Sequence, residues 1–291
     1  MKDSEKKRFL VITNTTKDPG GQFTDELISY IRGKGCECEQ IASAVDVDMT
    51  RMTNKPDADK DILLVIGGDG SVLRAAHQVL GSGVPMMGIN LGTLGYLAEV
   101  DKTDWKDSID RLIAGHYKTE RRMMLEGNLI ERDNEPVEPV SIHHALNEIV
   151  IVRNSAMRVL NFNVYVDDLL LNNFDADGMI VSTPTGSTAY NMSAGGPLVE
   201  PKAELVVLTP ICAHTLNQRS VILSANDKIV IEMVPTPRNE VASADGVFDG
   251  ESCINLRYGD KIEIRRSKEV TNLIKLTPRS FLKILNKKLS S

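Results

Sequence analysis

Cysteine is scarce in this 291-residue chain, and Cys36, Cys38, Cys212 and Cys253 form neither a CxxC pair nor a Cys/His spacing typical of zinc. They read as reduced thiols, and nothing around them supports a nucleophile. No carboxylate or cysteine completes a set at ligand spacing around His143-His144, so a fixed zinc site is rejected. A positive excess is also missing. The formal net charge is −6, which gives no global attraction to nucleic acid or to an acidic membrane. The basic clusters Lys6-Lys7-Arg8, Arg121-Arg122 and Lys287-Lys288 are too short for a nucleic-acid footprint and read as solvated surface. The N-terminus, MKDSEKKRFLVITN, is charged and then apolar for only a few residues, which suits a first buried strand and not a secretory or membrane segment. Internal repeats and low-complexity linkers are absent too. These absences point to a cytoplasmic protein with no nucleic-acid or membrane partner.

What remains is ordinary for a globular protein, with 42% hydrophobic and 25% charged residues, in a chain long enough for two domains. The first third alternates short apolar runs with helical periodicity. RFLVITN precedes PGGQFTDELISYIRGKG, DILLVIGG precedes SVLRAAHQVL, and VPMMGIN precedes NLGTLGYLAEV and the helical DWKDSIDRLIAGH. Buried strands alternating with helices predict a parallel α/β sheet over residues 1–118. From 119 to 276 the runs LNEIVIVR, VLNFNVYVDD, MIVST, AELVVLTP, SVILS, DKIVIEMV, CINLRYG and DKIEIRRS predict an all-β domain. A helical candidate, GSTAYNMSAGG, interrupts it, and ERDNEPVEP is the expected mobile loop. The amphipathic tail 277–291 is expected to pack back on the first domain.

Two segments carry chemistry. GGDG, residues 67–70, joins a buried strand to a helix, where open α/β sheets bind ligands and where free amides hold phosphate. There is no GxxxxGK[ST] and no third glycine to complete GxGxxG, so neither common nucleotide fingerprint is met. Asp69 in this loop has two readings. It caps the helix, or it accepts the proton of a substrate hydroxyl that attacks phosphorus. The second segment, DGMIVSTPTGSTAYNMSAGGP at 177–197, is another glycine- and hydroxyl-rich turn after a strand. Its amides with Ser187 and Thr188 suit phosphate or ribose, and Tyr190 offers an aromatic face and a hydroxyl.

With GGDGSVLRA (67–75), NLGTLGYL (90–97), NEIVI (147–151), TPICAHTLNQRSVIL (209–223), and DGE followed by GDKIEIRRS (249–267), the chain resembles the bacterial-type NAD kinase family. The pieces stand in the family's order and cover nearly the whole chain beyond the N-terminal strand and helix. The resemblance implies a Rossmann-like α/β domain followed by a β-rich domain. It implies phosphoryl transfer from ATP or polyphosphate to the adenosine 2′-hydroxyl of NAD, with Mg²⁺ or another divalent cation and a homodimeric or homotetrameric assembly.

The resemblance also implies roles for residues. Asp69 is the base, with Gly68 and Gly70 beside it, and Tyr96 and Leu97 lie near the adenosine. Asn147 and Glu148 contact NAD, and Asp177 lies near its nicotinamide end. Thr188, Ala189, Tyr190 and Ser193 line the adenine and ribose pocket, with Ser187 in the same run. Arg74 and Arg158 are candidate phosphate contacts. Two positions depart from the family: Asp175 stands where many members carry arginine, and Glu251 stands where many carry glutamine in DGQ. Asp245-Gly246 reads as a turn, and His214 as a buried, satisfied histidine. Two rivals remain. A lipid kinase of the diacylglycerol type shares GGDG but does not explain NE with TPTGSTAY. A dinucleotide sensor without turnover has no need of Asp69.

Overall fold

The computed structural model describes residues 7–43, 56–92, 95–132, 135–137, 142–154, 159–214, 219–235, 243–276 and 281–289. The chain divides into two compact units, Met1–Arg122 with Val270–Ser291, and Met123–Glu269. Both boundaries fall inside long strands, Lys118–Arg132 and Lys261–Lys275, so neither coincides with a loop.

In the first unit the run DILLVI is a strand, Asp61–Ile66, buried at every position. Burial on both faces is why its sequence shows no alternation. It pairs in parallel with Arg8–Thr13 on one side and Met86–Asn90 on the other, and Arg8–Thr13 pairs in parallel with Glu37–Ser43. Leu273 joins Met86, also in parallel. The strand order therefore reverses between Arg8–Thr13 and Asp61–Ile66, the switch point at whose carboxyl end such sheets bind ligands. At the opposite end of those two strands, Arg8 holds the buried Asp61 by two hydrogen bonds of 2.9 and 2.7 Å. Helices Gln22–Gly33 and Trp105–Ile113 share one core with the sheet, in which the Trp105 ring lies edge-on to Phe23 and Tyr30.

The second unit is a sandwich of two antiparallel sheets. One runs in the order Val221–Ser224, Leu205–Ile211, Gly178–Ser182, Glu148–Arg153, Ser243–Phe248, Glu251–Arg257. The other pairs Leu169–Ala176, Leu160–Val166, Ile229–Met233 and the start of Lys261–Lys275. Alternate residues of both sheets, among them Phe162, Ile231, Ile264, Ile149, Met179 and Phe248, meet in a single apolar core.

Several local expectations fail. Asp245-Gly246 is no turn but lies within strand Ser243–Phe248, flanked by Val152 and Ile151 on one side and Asn255 and Ile254 on the other. The turn falls instead at Asp249-Gly250, both at positive φ. GSTAYNMSAGG does not form a continuous helix. It makes a 3₁₀ turn, Gly186–Thr188, and a single turn, Tyr190–Ser193, separated by Ala189 at φ −104, ψ −128. Part of ERDNEPVEP lies outside the described residues. Its described ends pair as Glu131 with Pro136 and Arg132 with Glu135.

Candidate functional site

The loop after strand Asp61–Ile66 leads into helix Asp69–Gln78, and Gly68, not Asp69, occupies the N-cap. Asp69 is the first helical residue, and its carboxylate does not cap its own helix. It accepts three successive main-chain N–H groups from a distant loop: Tyr96 at 2.7 Å on Oδ2, and Leu97 and Ala98 at 3.0 and 3.1 Å on Oδ1. Gly95 makes this possible, because a Cβ there would stand 1.9 Å from Asp69 Oδ1. A carboxylate offers about four lone-pair positions. Three are filled, and the open one is on Oδ2.

Beside it the N–H groups of Asp69 and Gly70 take no acceptor among the described residues. Gly70 is exposed, with open space where a side chain would be. Arg74, one turn further along the same helix, is also exposed. Free amides at a helix start, an open approach and a nearby guanidinium suit an anionic group. Asn14, which follows the first strand, donates from Nδ2 to Ser71 Oγ at 2.9 Å and so sits at the same switch point. Sequence reading missed it, since a single asparagine after a strand carries no motif. The Tyr96 ring packs against Phe281, centroids 6.4 Å apart, with Lys288 Nζ 4.8 Å from its centroid.

In the second unit the Leu146–Glu148 segment is gripped on two sides. Its N–H groups point to Asp249, with Leu146 at 2.6 Å on Oδ2, and Asn147 and Glu148 at 2.8 and 3.1 Å on Oδ1. Its carbonyls receive Thr183: the hydroxyl on Leu146 O at 2.6 Å and the amide on Asn147 O at 2.8 Å. Gly186 approaches so closely that a Cβ would lie 2.2 Å from Asn147 O. Glu148 is buried, and its Oε2 has no hydrogen-bond partner. Burial, then the neighbouring Asp249 charge, push its carboxyl up to about 8 against the pull of the Tyr190 amide.

The TPTGSTAY residues divide. Ser187 is fully buried, and its hydroxyl is engaged by Pro184 O, Val199 O and the Val199 amide, so it braces the turn. Thr188 and Ala189 are half-buried, while Tyr190 and Ser193 are exposed. Asp177 pairs with Arg153 at 3.0 Å, and Asp175 accepts Asn161 Nδ2 at 2.6 Å. Glu251 is exposed at the start of its strand. His214 is not buried as the sequence suggested. Its side chain is 51% exposed, and its Nε2 stands 3.8 Å from Asp177. The strand Leu205–Ile211 ends before it, so the core periodicity no longer applies. Arg158 lies outside the described residues.

Known proteins resemble this chain over most of its length. Residues 11–117 match the ATP-NAD kinase N-terminal domain, and residues 146–276 match the ATP-NAD kinase C-terminal domain. An NAD kinase of Agathobacter rectalis is 42% identical over 287 residues, covering 98% of this chain and 99% of that protein. An NAD kinase of Lachnospira eligens is 37% identical over 302 residues, covering 97% and 100%. Among solved structures, a yeast NADH kinase complexed with NADH has a TM-score of 0.82 at 23% identity, covering 99% of this chain and 89% of that one. An NAD kinase from Archaeoglobus fulgidus in complex with ATP has a TM-score of 0.74 at 24% identity, covering 98% and 99%. At these identities the two structures establish the fold.

Proposed function

The chain belongs to the ATP-NAD kinase family and has NAD kinase activity, and we propose that it moves a phosphoryl group from ATP to the adenosine 2′-hydroxyl of NAD with Asp69 as base. The observation that carries this reading is the open lone pair on Asp69 Oδ2, beside free amides at a sheet switch point. A hydroxyl donating there has its oxygen next to the anion those amides attract. Phosphoryl transfer asks for such placement and for charge stabilisation more than for covalent chemistry by the protein. Gly68, Gly70 and Arg74 then serve the phosphates. Tyr96, Leu97, Asn147, Glu148, Asp177, Thr188, Ala189, Tyr190 and Ser193 serve the dinucleotide.

No group of three or more potential metal ligands occurs among the described residues. A Mg²⁺ carried on nucleotide phosphates would need no dedicated protein cage, and Asp69 would keep its open lone pair for the hydroxyl. When bound, the ion offsets phosphate charge. Polyphosphate as an alternative donor uses the same anion site.

We also read the protein as a cytoplasmic homodimer or homotetramer. Leu169 and Leu170, 75% and 58% exposed on an edge strand of the second unit, form an apolar surface that association would cover. Light scattering on the eluting protein tests this.

The deciding assay is NADP formation from NAD, ATP and Mg²⁺, with Asp69→Asn alongside. We expect a fall of roughly 10²–10⁴-fold in kcat, the usual contribution of a general base, with NAD affinity changed only several-fold. Equal turnover by the variant removes Asp69 from the role of base.

A further inference from the structure

The Asp249 carboxylate lies in a turn that neither the charge pattern nor the assigned site residues explain. We propose that Asp249 is a positioning residue, which by accepting the amides of Leu146, Asn147 and Glu148 fixes the backbone from which the Asn147 and Glu148 side chains address the dinucleotide. The proposal rests on the kinase reading for the identity of that ligand.

Four observations converge. Asp249 adopts φ +50, a left-handed conformation uncommon outside glycine, asparagine and aspartate, and Gly250 follows at φ +90. A turn of this kind aims the Asp249 side chain back along the sheet. Strand Ser243–Phe248 pairs with Glu148–Arg153, ending with Phe248 opposite Ile149, and the Asp249 amide donates to Glu148 O at 3.1 Å. Register thus delivers the carboxylate to the start of the neighbouring strand. There it meets three consecutive N–H groups, all within 3.1 Å. The carbonyl side of the same segment is held by Thr183, so the peptide planes of 146–148 have no freedom to rotate.

What the clamp holds in place is functional in character. The Asn147 side chain is half-buried and makes no hydrogen bond among the described residues. Glu148 Oε2 is buried without a partner. Buried polar atoms in folded proteins are nearly always paired, and an orphan calls for a ligand or a solvent molecule. A backbone anchored on both edges, carrying two unspent polar side chains, is arranged for binding. The charge facing Glu148 is Asp249 itself, while Tyr190 contributes its amide. Asp249 therefore fixes the position of Glu148 and adds to the effect of burial in keeping it protonated.

The test uses the full chain and two variants, Asp249→Asn and Asp249→Ala. Asparagine keeps one acceptor oxygen and removes the charge; alanine removes both. The expected result is a rise in KM for NAD of about 10-fold for asparagine and about 100-fold for alanine, with KM for ATP within about twofold, since misplacing a binding group by an ångström costs on that scale. Amide hydrogen exchange at 146–148 should accelerate in both variants while the strands of the same sheet stay protected. The alkaline limb of the NAD dependence, set by Glu148, should move to lower pH in both variants, because removing the Asp249 charge lowers the pH at which Glu148 ionises. A destabilised fold without a positioning role would lower the active fraction and leave KM and the pH limb where they were. Unchanged KM for NAD, or unchanged exchange at 146–148, overturns the proposal. If the wild type fails to phosphorylate NAD, the kinase reading falls and the substrate assignment with it, while the exchange experiment still decides whether Asp249 positions the segment.

Discussion

The Tyr96 amide nitrogen lies 2.7 Å from Oδ2 of Asp69, the oxygen that keeps an open lone pair. With the Leu97 and Ala98 amides on Oδ1, this amide orients the carboxylate proposed as base. The loop is tied down at its far end as well, where the buried Glu99 accepts Lys275 Nζ at 3.0 Å and the Leu276 amide at 3.1 Å. The position of Asp69 is consequently a property of the 95–99 loop as much as of the GGDG turn.

Gly95→Ala tests that dependence without touching Asp69. The added Cβ would stand about 2 Å from all three carboxylate atoms (1.9, 2.1 and 2.2 Å), so either the carboxylate or the loop must move. The expected outcome is a loss of kcat of at least about 10²-fold, the penalty typical of displacing a general base. Gly95 is buried, so thermal unfolding measured alongside separates lost geometry from a lost fold. Normal turnover by the alanine variant would show that the three amide contacts do not set the reactive geometry.

Gly186→Ala makes the equivalent demand on the second unit. Its Cβ would lie 2.2 Å from Asn147 O and 2.7 Å from Ser182 Oγ, both in the packed neighbourhood of the 146–148 segment. Backbone cannot yield as a flexible side chain does, so the segment must shift. KM for NAD should rise by about 10-fold or more, with KM for ATP nearly constant. Steady-state kinetics with each substrate varied in turn separates the two constants. A change confined to ATP would place the segment in the donor site instead.

The parallel α/β sheet was legible because its central strand, DILLVI, is apolar from Ile62 onward and is followed by glycine. The Asp69 contacts were not, since their donors are main-chain groups more than 25 residues away and leave no side-chain signature. The only trace is the second glycine of NLGTLGYL. The Asp249 clamp was hidden for the same reason, and Asp245-Gly246 drew the turn reading that belonged to Asp249-Gly250. Only strand register distinguishes the two Asp-Gly pairs. TPTGSTAY was recognised as a site, but the inward aim of the Ser187 hydroxyl depends on the return of the chain at Val199, which local sequence does not specify.

Asp18 is expected to make the fold acid-sensitive. It accepts the Thr24 hydroxyl at 2.7 Å and the amides of Thr24 and Phe23 at 2.9 and 3.1 Å, and so caps the first helix from outside it, where Gly21 at the N-cap has no side chain. Burial alone raises its carboxyl, but the Thr24 and Phe23 hydrogen bonds outweigh that and hold it below its ordinary value. A carboxyl depressed in the folded state contributes stability above its unfolded value and loses it as pH falls through the folded value. Asp18→Ala should cost about 1–3 kcal/mol at pH 7, the usual cost of stranding buried donors. Urea denaturation at pH 7 and at pH 3 should show that difference narrowing in acid. A constant difference would assign the loss to packing.

Glu148 has the opposite sign. Its carboxyl rises from 4.5 to about 8 in the folded protein, so the native state holds a proton there that the unfolded chain has released. Stability from this group is complete below pH 4.5 and declines as pH rises toward about 8, because the unfolded state binds fewer protons across that window. Glu148→Gln removes the titration while keeping a neutral side chain of similar shape. The variant should melt higher than the wild type at pH 8, and the two should converge near pH 4.5, as measured by calorimetry without ligand. A gain at pH 8 paired with weaker NAD binding would show that the fold tolerates a strained carboxyl for the sake of its ligand, the trade between stability and activity common at binding sites. Parallel melting curves at every pH would mean that the Glu148 carboxyl titrates alike in the folded and unfolded chain.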